Sequence, residues 1–171
     1  LKPGDRVALM LPNSPQFVIA FYGTLLAGGV GVNVNPLYTP RELRHQLADA
    51  GAETLVILDH LLPRYLEVEK EVPVKRVVVT GIKDFLPFPK NLLYPLKAKR
   101  DGLPLGFPKR EGFHAFAELL KRPPAEPHVP DPEDLALLQY TGGTTGLSKG
   151  AMLTHKNLGA NVLQIDAWDP T

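Results

Sequence analysis

Residues 6–34 read RVALMLPNSPQFVIAFYGTLLAGGVGVNV, and the spacing of their apolar side chains changes twice within that stretch. Arg6 to Leu11 is a short, nearly continuous apolar run, the pattern of a strand buried on both faces. Pro12-Asn13-Ser14-Pro15 then breaks the run. It supplies a helix start, with Ser14 as N-cap and Pro15 at the first helical position, where a missing backbone donor costs nothing. Phe17, Phe21 and Leu25 recur every fourth residue with Val18, Tyr22 and Leu26 beside them, which predicts a helix with a wide apolar face ending at Gly28-Gly29. Val30, Val32 and Val34 alternate as a second strand. A strand, a helix and a strand within about 30 residues is the unit that joins parallel neighbours in a sheet.

Val7 through Pro40 contains no charged residue, so the same stretch has to be weighed as a membrane span. A spanning helix needs about 20 consecutive apolar residues. Pro12 to Pro15 interrupt the run early, and Gly28, Gly29, Asn33, Asn35 and Pro36 interrupt it again, so buried strand, helix and strand is the reading that fits.

The alternation continues. Thr39-Pro40-Arg41-Glu42 combines a capping box with proline at the first helical position, Leu43, Leu47 and Ala50 share a buried face, and Gly51 stops the helix. Thr54 to Leu58 predicts a strand, Leu61 to Val72 a helix, and Arg76 to Thr80 a β-branched strand. The fold class is therefore α/β, a largely parallel sheet flanked by helices. Ten of the 18 prolines then fall between Pro87 and Pro132, which predicts an irregular excursion over residues 81–132, interrupted by a short helix from Phe113 to Lys121 with Phe116, Leu119 and Leu120 inward. Leu135 to Tyr140 returns to the buried-strand pattern.

A net charge of +1 leaves no general attraction to nucleic acid. The balance is uneven, since Val74 to Arg110 holds nine basic residues and two acidic ones. Within that region Phe85 to Lys97 mixes aromatic and aliphatic side chains with lysine, which reads either as a surface excursion packed on its own domain or as a weak peripheral contact with a membrane surface. Cysteine is absent, so neither disulfides nor thiolate metal sites hold the chain together, and a reducing, cytoplasmic home is the expectation.

The chemistry is concentrated directly after the last strand, in Thr141-Gly142-Gly143-Thr144-Thr145-Gly146-Leu147-Ser148-Lys149-Gly150. Its glycines let backbone N–H groups approach an anion with no Cβ in the way, the hydroxyls add donors, and Lys149 adds the only positive charge. A glycine-rich hairpin loop without a ligand would have the same composition. A Walker A loop would not, because it needs lysine immediately after its last glycine and then Ser or Thr. Two residues separate Gly146 from Lys149, and Gly150 follows the lysine.

Tyr140 through His155, YTGGTTGLSKGAMLTH, resembles the signature of the adenylate-forming superfamily of acyl-CoA synthetases, firefly luciferases and peptide-synthetase adenylation domains. With Leu138-Gln139, GDRVALMLPN (residues 4–13) and NVNPLYTPREL (residues 33–43), it is similar to the bacterial long-chain fatty acid–CoA ligase branch. Many members of the superfamily have proline where this chain has Ser148. The resemblance implies ATP, Mg2+ and CoA as cofactors and a fatty acid as substrate. It implies that Thr141 is a magnesium ligand, that Gly142, Gly143, Thr144, Thr145 and Gly146 hold the β- and γ-phosphates, and that Lys149 steadies the pyrophosphate as a catalytic residue.

The superfamily's adenine, ribose and acyl segments and its mobile C-terminal domain lie downstream of this loop. Residues 1–171 are therefore expected to be an incomplete N-terminal adenylation domain that works only with the remainder of the enzyme chain, with an alternating part at 1–80, the excursion at 81–132 and the strand, loop and following helix at 133–171. A standalone nucleotide-binding or interaction module and an aryl- or amino-acid-activating ligase remain as alternatives. His155 falls where Thr154 caps a helix with Leu158, Val162 and Ile165 on one face, and reads as a helix residue rather than an acid or base. His45, His60, His114 and His128 lack metal-ligand spacing.

Overall fold

A computed structural model of the chain describes residues 1–141 and 148–169. The expected alternation is present: β1 (Arg6–Met10), α1 (Pro15–Leu26), β2 (Val30–Asn33), α2 (Pro40–Ala50), β3 (Thr54–Leu58), α3 (Leu62–Val68) and β4 (Arg76–Thr80). Local chemistry sets the boundaries. The Ser14 hydroxyl caps α1, and the reciprocal Thr39–Glu42 capping box starts α2. Gly51 ends α2 at φ 60°, in the left-handed region that a side chain resists.

The proline-rich stretch is more regular than expected. It contains α4 (Lys90–Arg100), β5 (Phe113–Ala115) and the single turn α5 (Phe116–Leu119). Pro89 only precedes α4, where a proline is tolerated, and Pro95 inside it removes one hydrogen bond, to the carbonyl four residues back. The residues expected to begin a helix at Phe113 instead pair with β4 as an edge strand. Phe116 is buried there and Leu119 packs against the core, but Leu120 is exposed.

β6 (Leu135–Thr141), β7 (Lys149–Thr154) and α6 (His155–Trp168) complete the described elements. The sequence reading missed β7. The sheet runs in the order β5-β4-β3-β1-β2-β6-β7, parallel throughout except for β7, which is antiparallel to β6. From β1 the chain moves one way to β2, then back across β1 to β3. With right-handed crossovers that reversal places α1 and α2 on opposite faces.

The core is centred on β1 and β3, where Leu9, Leu55 and Ile57 are fully buried, with Leu43 and Leu47 of α2 closing one side. On the other side, α1 does not bury the face expected of it. Its buried line is Gln16, Ala20 and Thr24, Phe17 and Phe21 pack against the core, and Val18, Tyr22 and Leu26 are exposed. Gly31 lets the Phe21 ring lie on β2, since a Cβ there would come within 3.2 Å of it. α6 buries none of its residues fully: of the apolar face read from Leu158, Val162 and Ile165, only Leu158 is half-buried, and Val162 and Ile165 are exposed.

Chemical denaturation of the purified chain should separate these contributions. Leu55→Ala should lower stability by about 2–5 kcal/mol through the cavity it leaves. Thr39→Ala should lower it by about 1 kcal/mol through loss of the cap.

Candidate functional site

The connections that leave the carboxyl ends of β2 and β6 run in opposite directions along the sheet. The connection from β2 leads away toward β3 and that from β6 leads the other way to β7, the arrangement that leaves a crevice in open parallel sheets. A depression of about 470 Å3 lies there, its polar lining supplied by Asn13, Asn33, Asn35, Tyr38 and Gln139. Asn33 and Gln139 are register partners, and Asn33 Nδ2 donates to Gln139 Oε1 at 2.8 Å. Gln46, fully buried on α2, donates through Nε2 to the Asn33 carbonyl at 2.7 Å. Asn33 Oδ1 has no partner among the described residues.

Thr141 is the last residue of β6 and Lys149 the first of β7. They are paired across the hairpin and both are exposed, so a hydroxyl and an ammonium flank one opening at the carboxyl edge of the parallel strands. Gly142, Gly143, Thr144, Thr145 and Gly146 lie outside the described residues. The antiparallel pairing of β6 with β7 is what sets the Thr141 and Lys149 side chains beside each other. Thr141 offers a hard oxygen of the kind Mg2+ takes alongside substrate phosphates and water, which fits the ion that the family resemblance implies.

One strand pair further back, Tyr140 faces Gly150. A Cβ on Gly150 would come within 2.9 Å of the Tyr140 ring, so the glycine after Lys149 is a packing requirement. The buried phenol donates to Asp49 Oδ2 on α2. Burial first, then the hydrogen bond that the phenol donates to the Asp49 carboxylate, push its pKa well above the usual range. One helical turn earlier, half-buried His45 places Nε2 3.5 Å from the carbonyl of Ser148. That contact uses the backbone, so a proline at position 148 would keep it.

His155 sits far from this opening. It follows the last residue of β7, where its N–H donates to the Asp134 carbonyl at 3.1 Å at the amino end of β6. A six-residue strand separates it from Lys149, about 20 Å at the rise of an antiparallel strand. The N-cap expected at Thr154 is present, and Asn157 completes it as a capping box from the reciprocal position. Among the described residues no three His, Asp or Glu side chains group as a metal site.

A family profile described as AMP-binding enzyme matches residues 1–171, the whole chain. The chain belongs to the AMP-binding enzyme family. Among its relatives, the long-chain-fatty-acid–CoA ligase of Bacillus subtilis is 47% identical over 172 residues, covering 98% of this chain and 30% of that protein. The enzyme of the same name from Haemophilus influenzae is 46% identical over 170 residues, covering 96% and 30%. The crystal structure of a long-chain-fatty-acid–CoA ligase from Archaeoglobus fulgidus superposes with a TM-score of 0.68 at 33% identity, covering 97% of this chain and 28% of that one. The chain thus spans about 30% of the length of the curated relatives it matches.

In this member of the AMP-binding enzyme family, sequence reasoning named the two residues that flank the loop and missed the helix that packs beside them. A buried tyrosine hydroxyl usually finds a partner, so Tyr140 was the available signal, but nothing local pointed to Asp49. Gly150→Ala should destabilise the chain by about 1–3 kcal/mol through overpacking, with most of the loss recovered in a Tyr140→Leu background. The raised phenol pKa also sets a pH dependence. Above pH 10, the ordinary value for tyrosine, the unfolded state releases this proton and the folded state keeps it, so stability falls as pH rises. Wild-type chain should therefore lose stability above pH 10 more steeply than Tyr140→Phe in parallel urea titrations.

Proposed function

We propose that this chain supplies the phosphate-holding part of an ATP-dependent long-chain fatty acid–CoA ligase. The observation that carries the reading is the pairing of Thr141 with Lys149 across the mouth of the glycine-rich loop, at the carboxyl edge of a parallel sheet. The identity to enzymes named long-chain-fatty-acid–CoA ligase supports this choice of substrate class.

In the proposed reaction a carboxylate oxygen of the fatty acid attacks the α-phosphorus of ATP, and the bond to the bridging oxygen breaks so that pyrophosphate leaves. The thiolate of CoA then attacks the acyl carbon and AMP departs. Charge gathers on phosphate oxygens in the first step, so positioned donors provide much of the rate. Lys149 together with Gly142, Gly143, Thr144, Thr145 and Gly146 would hold the β- and γ-phosphates, and the Thr141 hydroxyl would serve as a ligand to the metal. Mg2+, when bound, neutralises phosphate charge and orients the leaving group. The Tyr140–Asp49 and His45–Ser148 contacts hold the two flanks of the loop at a fixed separation.

On this reading residues 1–171 form part of an N-terminal adenylation domain. Residues 1–80 and 133–171 frame the nucleotide, and the adenine, acyl and CoA contacts come mostly from other parts of the enzyme. Its place is the cytoplasm, with fatty acid reaching it from the inner face of the membrane.

Thr141→Ala and Lys149→Ala in the full-length enzyme should each lower fatty-acid-dependent pyrophosphate exchange by about 10²- to 10³-fold. Exchange at the wild-type rate in both variants would leave the loop a purely structural hairpin. Assay against a panel of long-chain, aryl and amino acids should give turnover only with the long-chain acids. The isolated chain should form no acyl-CoA, because stabilisation of the transition state needs metal, adenine and acyl contacts together.

A further inference from the structure

α4 presents an apolar surface unlike the others on this chain. Its inner side is anchored through buried Ala98 and half-buried Tyr94. Its outer side is open to solvent, with Leu92 at 65%, Leu93 at 57% and Leu96 at 68% exposure, and Phe88 at 79% just before the helix. Lys90, Lys97, Lys99 and Arg100 border that face, all exposed, and the helix contains no acidic residue. Of these four only Arg100 meets a carboxylate among the described residues, that of Asp101 beyond the helix end at 3.4 Å. Beside the helix, Ile82, Leu86, Leu93 and Tyr94 line an apolar hollow of about 470 Å3 with Lys90 and Lys97 at its rim.

The exposed apolar faces of α1 and α6 differ in charge. α1 carries no charged residue, and α6 carries one lysine and one aspartate. Uncharged apolar faces suit coverage by other protein. An apolar face ringed by four cations, three of them without a carboxylate partner among the described residues, suits a surface that is apolar inside and anionic outside. Among the described residues no helix is long and apolar enough to cross a membrane, so a contact of this kind lies in the plane of the interface.

We propose that α4 is a membrane-docking element that lies on anionic bilayers. Phe88, Leu92 and Leu96 enter the headgroup region while Lys90, Lys97, Lys99 and Arg100 neutralise lipid phosphates. Docking is reversible and depends on salt, because a few apolar side chains and four cations give no permanent anchor. The surface is separate from the Thr141–Lys149 opening, so lipid binding can be measured whether or not the acyl-activation reading holds.

The test is co-sedimentation of the full-length enzyme with vesicles of phosphatidylcholine alone and of phosphatidylcholine with phosphatidylglycerol, at low and high salt. Wild type should bind the anionic vesicles at low salt, release at high salt and ignore the neutral ones. Replacing Lys90, Lys97, Lys99 and Arg100 together with glutamine should lower partitioning by about 10²- to 10³-fold, at roughly fivefold per charge. Leu92→Gln with Leu96→Gln should weaken binding about tenfold or more with the charges intact. Thermal melting should confirm that both variants are folded, as their substituted side chains are exposed. Pyrophosphate exchange should be unchanged in both variants when the fatty acid is delivered without vesicles. Absence of wild-type binding would overturn the proposal and indicate that other protein covers α4. Binding lost with the charges but indifferent to Leu92 and Leu96 would overturn it in favour of a purely electrostatic patch.

Discussion

Parallel pairing of β6 with β2 is the contact on which the candidate site depends. It covers three residue pairs, Gly31 with Leu137, Val32 with Leu138 and Asn33 with Gln139. The Asn33–Gln139 side-chain hydrogen bond joins positions 106 residues apart. Among the described residues β7 has no strand neighbour other than β6, so its place in the sheet follows from the β2–β6 ladder. The intervening chain builds β3, β4 and β5 on the far side of β1 before returning. So long an excursion is tolerable because the entropy of closing a loop grows slowly, by about 0.6 kcal/mol for each doubling of length.

α2 converts that placement into a fixed geometry. Its start is set by a reciprocal capping box and its end by a left-handed glycine, so the rotational phase of the residues between is determined. Gln46 then reaches the end of β2, Asp49 the Tyr140 hydroxyl on β6, and His45 the carbonyl just before β7. Three strands that meet at the crevice are thus tied to one helix through one face, and the Tyr140 ring lying on Gly150 keeps the two arms of the hairpin in register. The exposed Thr141 and Lys149 sit beside a support in which Gln46 and Tyr140 are buried and His45 is half-buried, with only Asp49 of the three α2 residues exposed.

The chain carries two kinds of exposed apolar surface. α1 exposes apolar side chains with no charged residue, and α6 exposes them with one lysine and one aspartate. α4 combines the same kind of side chains with concentrated positive charge. Composition along the chain already showed that charge as nine basic residues against two acidic ones from Val74 to Arg110. Only the helix arranges part of it around an apolar stripe.

The alternation of elements through Thr80, the caps of α1, α2 and α6, and the strand leading into the glycine-rich loop were legible in the sequence, because each rests on residues within a few positions of one another. α4 was not, since ten prolines between residues 87 and 132 outweighed a pattern of three leucines. A proline weakens a helix only where its missing donor or its ring meets the helix interior. β7 and the burial of Gln16 and Thr24 in place of Tyr22 and Leu26 were hidden as well, because local periodicity shows that a face is apolar without showing what will cover it. Thr141 and Lys149 were named from sequence, and the tertiary structure decided that they face each other. It also recruited Asp49 and His45 from a helix about a hundred residues away, a pairing set by the packing of α2 on the sheet and therefore absent from any local pattern.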